Sequence, residues 1–358
     1  MSQAAIPAPA EAPLHQRASV FTDEITMDFA DACATAAAAG LRYVDVRKLW
    51  GTFSHDIPRE RWPEMAGILG DHGLRLGAIQ SNFGKCPLSG PEHEAHQRFF
   101  PILVEQAHFF GTDTIRIFPF WNDVRITPEA GFPHGIRPNL AAALPQIVRG
   151  LEPAARLAEQ EGIRLGFEPE HSTFSGSPQE VARIVAAIGS PNVGVAWDVN
   201  NGWDDCSIED AYALFQGRVW NVHVKERAFS PDEYRTIREA IPSGNGRAEP
   251  APARPERTAG SSTVTGPAAP PPADPVTRLR RQPALLGTGA LPWTRTIELL
   301  ERGGYRGLYS IETHFGVRGP HGWPKLKAAS TYFMLALREL LAQAEANLAT
   351  EQVSVATH

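Results

Sequence analysis

The chain has 358 residues, of which 42% are hydrophobic and 21% charged, so it can bury a sizeable core in one large domain or two ordinary ones. A formal net charge of −6 gives no electrostatic reason for a nucleic-acid or anionic-membrane partner, and no run of about 18 apolar residues suggests a membrane span. Three cysteines, Cys33, Cys86 and Cys206, form no CxxC pair, which argues against a disulfide scaffold and for a reducing, cytoplasmic setting.

In chain order, residues 1–17 are rich in Ala and Pro and lack a basic start followed by an apolar run, so they read as a flexible tail rather than a signal peptide. Strands are expected near Ser19–Ile25, Arg42–Arg47, Arg75–Gln80, Thr114–Phe118, Arg164–Glu168, Gly194–Asp198, Val219–Val224 and Gly307–Glu312. They are apolar rather than alternating, as in a parallel sheet covered by helices. Helical spacing lies between them at Phe29–Ala39, Glu92–Phe110, Asn139–Glu161, Pro178–Ile188, Pro292–Arg302 and Trp323–Leu348. Glycines 40, 73, 111, 162, 189 and 304 punctuate the returns from helix to strand. Eight such repeats predict an α/β fold, a (β/α)8 TIM barrel over residues 18–348. An open Rossmann sheet would want GxGxxG after its first strand, where this chain has Thr22-Asp23-Glu24-Ile25.

Residues 229–284 break the rhythm with Pro, Ala, Arg and Ser and few large apolar residues. They are expected to be a mostly disordered insertion after strand 7, with a short helix at Tyr234–Ile241; a lid and a neutral surface excursion are both open. Residues 349–358 read as a C-terminal tail. Cys86, in the loop Lys85-Cys86-Pro87, reads as a small buried apolar residue in preference to a reactive thiol.

In such a barrel the carboxyl ends of the strands converge on one mouth. Strands 5 to 8 end on Glu168, Asp198, His223 and Glu312, four metal-ligand residue types in consecutive repeats. Each alone is weak evidence, since a strand-end glutamate is commonly a salt-bridge partner. Three carboxylates gathered in a poorly solvated mouth repel one another unless a cation joins them. This mostly hard donor set suits a divalent ion, Mn2+ first, with Mg2+, Co2+ or Zn2+ as alternatives.

The segments Val20-Phe21-Thr22-Asp23-Glu24-Ile25, Phe167-Glu168-Pro169-Glu170-His171, Trp197-Asp198, Val222-His223-Val224-Lys225 and Ser310-Ile311-Glu312 resemble the xylose isomerase-like TIM barrel family of sugar phosphate isomerases and epimerases. The resemblance spans Ser19 to Leu348 except the insertion, and its Glu, Asp, His, Glu order is specific for the superfamily rather than for a substrate. It implies a metal held by Glu168, Asp198, His223 and Glu312, with Glu168 and Glu312 moving a proton through a metal-stabilised enediolate. Many relatives have Asp-x-x-His after strand 6, where this chain has Asp198-Val199-Asn200-Asn201; His223-Val224-Lys225-Glu226 replaces His-x-Lys-Asp. Asn201 can bond a hydroxyl but does not titrate, which counts against a ketose 3-epimerase, and the shortage of histidines counts against endonuclease IV.

Lys225 shares the face of His223 and reads as a third catalytic group, or as an ion-pair partner of Glu170 or Glu312. His171, Arg47, Trp121 and Asn201 read as substrate-binding; for His171 the alternative is an exposed loop histidine, for Trp121 loop packing. Trp50, Asn82, Lys85 and His314 are further candidates for the mouth. The expected activity is a sugar isomerase or epimerase on a small sugar-like molecule. The alternatives are a metal-dependent dehydratase or lyase on a keto-sugar or keto-inositol, and a non-catalytic sugar-binding member. A homo-oligomer is left open.

Overall fold

A computed structural model describes residues 6–124, 135–204, 206–240, 282–316 and 322–356. Eight parallel strands form one sheet: β1 (Ala18–Val20), β2 (Tyr43–Val46), β3 (Arg75–Ile79), β4 (Thr114–Ile117), β5 (Arg164–Phe167), β6 (Val193–Asp198), β7 (Val219–Val224) and β8 (Tyr309–Ile311). Each strand pairs with the next in sequence from β2 to β8, and β8 pairs with β1. A parallel bridge from Phe21 to Asp45 joins β1 to β2 and nearly closes the barrel. A helix follows each strand: α1 (Phe29–Ala38), α2 (Trp62–Asp71), α3 (Pro91–Phe110), α4 (Leu140–Gln160), α5 (Pro178–Ile188), α6 (Ile208–Phe215), α7 (Trp293–Arg302) and α8 (Gly322–Ala356).

Local sequence explains the helix ends. The Asp28 carboxylate accepts the Asp31 N–H at 2.9 Å to start α1, and Ser177 Oγ accepts the Glu180 N–H at 3.2 Å to start α5, with Pro178 just inside it. α5 stops on Gly189 at φ 72°, a left-handed turn that glycine takes without a Cβ clash. Among the described residues, no helix is long and apolar enough to cross a membrane.

A buried polar layer crosses the barrel interior below the mouth. Ser19 Oγ donates to Asp45 Oδ1 at 2.7 Å, and Gln80 Nε2 donates to Asp45 Oδ2 at 2.9 Å and to Asn221 Oδ1 at 3.1 Å. Asn221 Nδ2 donates to Ser310 Oγ at 2.8 Å. Strands that are apolar toward the helices thus carry a satisfied hydrogen-bond network inside, where an unpaired group would be costly.

Several expectations need correction. β1 ends at Val20, and Thr22–Glu24 turns in a single 3-10 helix closed by the Ile25 N–H on Thr22 O at 3.0 Å. The proline-rich start is not a loose tail over its described part. Leu14 is buried, the Tyr43 hydroxyl donates to Pro7 O at 2.9 Å, and the buried Arg17 guanidinium pairs with Glu301 and bonds the carbonyls of Tyr305 and Gly307. A few anchoring contacts, invisible in composition, hold it across the amino end of the barrel. α8 continues past Leu348 to Ala356. Helices α2 and α6 add to the expected set; Gly67 and Gly70 weaken the helical signal of α2. Within the expected insertion, Pro231–Ala240 is helical with Tyr234 buried, Ala228 N–H donates to Gln282 O at 2.8 Å, and residues 241–281 lie outside the described set.

Candidate functional site

The ends of β5 to β8 bring Glu168, Asp198, His223 and Glu312 together, with one ligand atom of each lying within 4.8 Å of the others. All four are at most 3% exposed. Each carboxylate is divided between an outer and an inner task. Glu168 Oε2 accepts from Arg116 Nη1 at 2.8 Å, and Glu312 Oε1 is clamped by Arg47. Asp198 Oδ1 caps the short helix Val199–Gly202 by accepting the Asn201 N–H at 3.0 Å. The remaining oxygens turn inward. Glu168 Oε1 and Glu312 Oε2 lie 3.7 and 3.9 Å from His223 Nδ1, and Asp198 Oδ2 meets the ammonium of Lys225. That ammonium also lies 2.8 Å from Glu312 Oε2 and 3.7 Å from Glu168 Oε1.

The polar layer orients His223. Gln80 spends its amide N–H groups on Asp45 and Asn221, which leaves its Oε1 facing His223 Nε2 at 3.1 Å. Nε2 therefore carries a proton, and the ring turns its other nitrogen, Nδ1, toward two carboxylates. Nδ1 has no hydrogen-bond partner, and Glu312 Oε2, although close to Lys225, lies outside hydrogen-bonding geometry. Three carboxylates converging in a buried space repel one another, and the single Lys225 ammonium among their inward oxygens offsets only part of that charge. The donor set fits a divalent ion held by Glu168, Asp198, His223 and Glu312, with Gln80 orienting the imidazole from behind.

The electrostatics follow. Burial pushes every carboxylate here upward, but Arg116 and His223 overcome it and hold Glu168 well below the usual carboxylate range. Lys225, His314 and Arg47 do the same for Glu312. For Asp198 burial prevails over Lys225 and the carboxyl is raised. Burial would lower the Lys225 ammonium, yet Asp198, Glu312 and Glu168 together raise it.

A cavity of about 470 Å³ opens beside the cluster, walled by Asn82, Lys85, Arg47, Arg116 and His314 and by the apolar Met27, Phe53, Trp323 and Leu326. Arg47 reaches the mouth as expected, but its guanidinium serves Asp23 at 2.8 Å, Glu24 at 2.9 Å and Glu312. Lys85 pairs with Glu170 at 3.1 Å, and Asn82 Oδ1 is buried without a partner. Gly84, at φ 84°, holds this loop against β4: a Cβ there would lie 1.7 Å from Phe118 O. His314 Nε2 lies 3.3 Å from Glu312 Oε1, on a backbone at φ 58° that non-glycine residues rarely adopt.

Three expected substrate residues are not on the cavity wall. Asn201 is buried behind Glu168, donating from Nδ2 to Pro169 O at 2.8 Å and reaching Glu168 Oε1 at 3.5 Å. His171 Nε2 meets Asn201 O at 2.8 Å. Trp121 is half-buried and bridges to Thr173, its backbone N–H donating to Cys86 O at 2.8 Å. Trp50 lies under the Arg61 guanidinium, 3.4 Å from its ring centroid. Cys86 is buried and desolvation pushes its thiol up to about 12, as expected of an inert packing residue.

Sequence reasoning passed over Arg116, Gln80 and Phe21. Arg116 had a readable signal: a charge inside the apolar strand Thr114-Ile115-Arg116-Ile117 requires a buried partner. The fully buried Phe21 ring packs edge-on against His223, with Arg47 and Arg116 over it at 5.1 and 5.5 Å.

Among solved structures, the fold is similar to a xylose isomerase-like TIM barrel protein from Mycobacterium smegmatis in complex with magnesium (TM-score 0.62, 15% identity, covering 95% of this chain and 100% of that one). It is also similar to the probable 3-DHS dehydratase of Bacillus anthracis (0.58, 14%, 91% and 98%). A third is the D-allulose 3-epimerase of a Methylomonas species in complex with D-allulose (0.56, 14%, 93% and 96%). At these identities the likeness is one of fold. A search of curated proteins finds no significant match. The sequence matches the family described as xylose isomerase-like TIM barrel over residues 33–329, and the chain belongs to that family.

Proposed function

We propose that the protein is a divalent-metal-dependent isomerase or epimerase that moves a proton beside the carbonyl of a small sugar or polyol derivative. The observation that carries this reading is the pair of inward oxygens, Glu168 Oε1 and Glu312 Oε2, flanking Nδ1 of His223 with their outer oxygens locked by Arg116 and Arg47. Mn2+ is the first choice for the ion. When bound, it supplies polarisation of a carbonyl and acidifies the adjacent C–H.

The chain's residues do the rest. Glu168 and Glu312 take and return the proton. Arg116 and Arg47 hold their outer oxygens and keep both carboxylates ionised, which makes them weak bases that act only on an acidified C–H. The Lys225 ammonium, on a flexible stem beside these carboxylates, supplies positive charge against the negative charge growing on a substrate oxygen. Asn201, held on Pro169 O, positions Glu168. Met27, Phe53, Trp323 and Leu326 line the cavity with apolar surface that keeps water from the reacting centre.

The test is turnover in D2O by protein stripped with chelator and reloaded with Mn2+, Mg2+, Co2+ or Zn2+, offered a panel of aldoses, ketoses and keto-inositols. Deuterium at the carbon beside the carbonyl of an isomerised product is the expected result. A product lacking the elements of water would move the assignment to a dehydratase. Absence of exchange with every metal and substrate, beside measurable sugar binding, would leave a binding protein.

A further inference from the structure

We propose that the Lys225 ammonium is the resident counter-ion of this centre, and that a divalent ion binds by displacing it, so that Lys225 sets how tightly and how exchangeably metal is held. The inference rests on the metal-centre reading above. Lys225 is 1% exposed and lies two residues beyond His223, at the mouth end of β7. Its Nζ contacts Asp198 Oδ2, Glu312 Oε2 at 2.8 Å and Glu168 Oε1 at 3.7 Å, which are the inward oxygens of three of the four candidate ligands.

An ammonium and a divalent ion compete for those atoms. A bound cation draws ligand oxygens to roughly 2.0–2.6 Å of itself, and its own charge repels a neighbouring ammonium across so short a gap. The lysine is nonetheless an incomplete substitute. It brings one positive charge to three carboxylates, while Arg47 and Arg116 are committed to the outer oxygens. No contact joins it to His223 Nδ1, which stays unpartnered. An ion with two charges could engage all four groups; the ammonium hydrogen-bonds Asp198 and only approaches Glu312 and Glu168. Its flexible four-carbon stem lets the head withdraw without disturbing the strand. The centre is thus kept from flying apart when empty, at a cost to metal affinity.

The test compares wild type with Lys225→Met by calorimetric Mn2+ titration and by melting in chelator and in Mn2+. The variant is expected to bind Mn2+ roughly tenfold tighter or more, to melt below wild type in chelator, and to show the larger Mn2+-induced rise. Equal or weaker affinity in the variant overturns this inference alone. Absence of Mn2+ binding in both proteins overturns it together with the metal-centre reading. A second arm needs no variant: wild-type crystals grown in chelator and in Mn2+ should differ in Lys225, with Nζ leaving Asp198 Oδ2 when the ion is present. Nζ still hydrogen-bonded to Asp198 beside a bound ion would overturn the displacement.

Discussion

Two charge clusters are buried at the carboxyl end of the barrel, and they are built differently. In one, Arg137 and Glu180 have fully buried side chains and match charge for charge. Arg137 Nη2 donates to Glu180 Oε2 at 2.7 Å and its Nε lies within 3.1 Å of both carboxylate oxygens, while the N–H groups of Arg137 and Gly176 add 2.8 and 3.0 Å bonds to them. The rest of the guanidinium bonds the carbonyls of Val124, His171 and Thr173. This pair ties the segment before α4 to the first turn of α5, and Arg137 adds the loop after β5. In the other cluster, the inward oxygens of three carboxylates share one ammonium, and His223 Nδ1 is left over. A buried charge cluster with every atom spent is architecture. One with atoms to spare invites a cation.

The contrast can be broken at either end. Glu180→Gln leaves the Arg137 charge buried without its counter-charge, and should cost about 3–5 kcal/mol in denaturant unfolding whether or not metal is added. A loss under about 1 kcal/mol would remove Arg137–Glu180 from the architectural role. Glu312→Gln should instead spare the fold and lower kcat by about 10²–10⁴-fold, with a smaller Mn2+-induced thermal shift. Retained turnover would take Glu312 out of proton transfer.

A smaller effect sharpens the point with a neutral buried group. His96 accepts the Gly84 N–H on Nδ1 at 3.0 Å, and desolvation, aided by His55 and His93, lowers it from 6.5 to about 4. Above pH 6.5 it is neutral both folded and unfolded and costs nothing. Between 6.5 and 4 only the unfolded chain takes the proton, so stability falls as the pH falls, by about 3 kcal/mol in all, and levels off below 4. His96→Gln should flatten that limb of a stability–pH curve; an unchanged limb would assign it to other groups. The smallest effect is expected from replacing residues 241–281 with a short Gly–Ser linker. Those residues carry few large apolar side chains, and loop closure costs little, so stability should change by less than about 1 kcal/mol. Global unfolding of that variant would show that the insertion contributes to the core.

Much of the barrel is legible in the sequence, because a parallel strand covered by helices needs a short apolar run and each helix needs its own start and stop. Ser177-Pro178 and Gly189 mark α5 without knowledge of any partner. The four ligand candidates are legible for the same reason: each is the polar residue at which an apolar run ends. Arg116 and Phe21 sit inside such runs and look like core until a neighbouring strand supplies Glu168 or His223. The segment before β1 misleads in the opposite direction, since Pro and Ala predict looseness while Arg17 and Leu14 supply the anchors.

By itself the sequence determined the repeat of strand and helix, the order Glu, Asp, His, Glu at successive strand ends, and the class of ion that such donors suit, because these depend on local periodicity and residue chemistry. Only the tertiary structure decided which oxygen of each carboxylate faces inward, which nitrogen of His223 faces them, that Asn201 stands behind Glu168 and that Lys225 occupies the centre. Those facts are set by side chains far apart in the chain meeting across the barrel, and no spacing along one strand records the partner on the next.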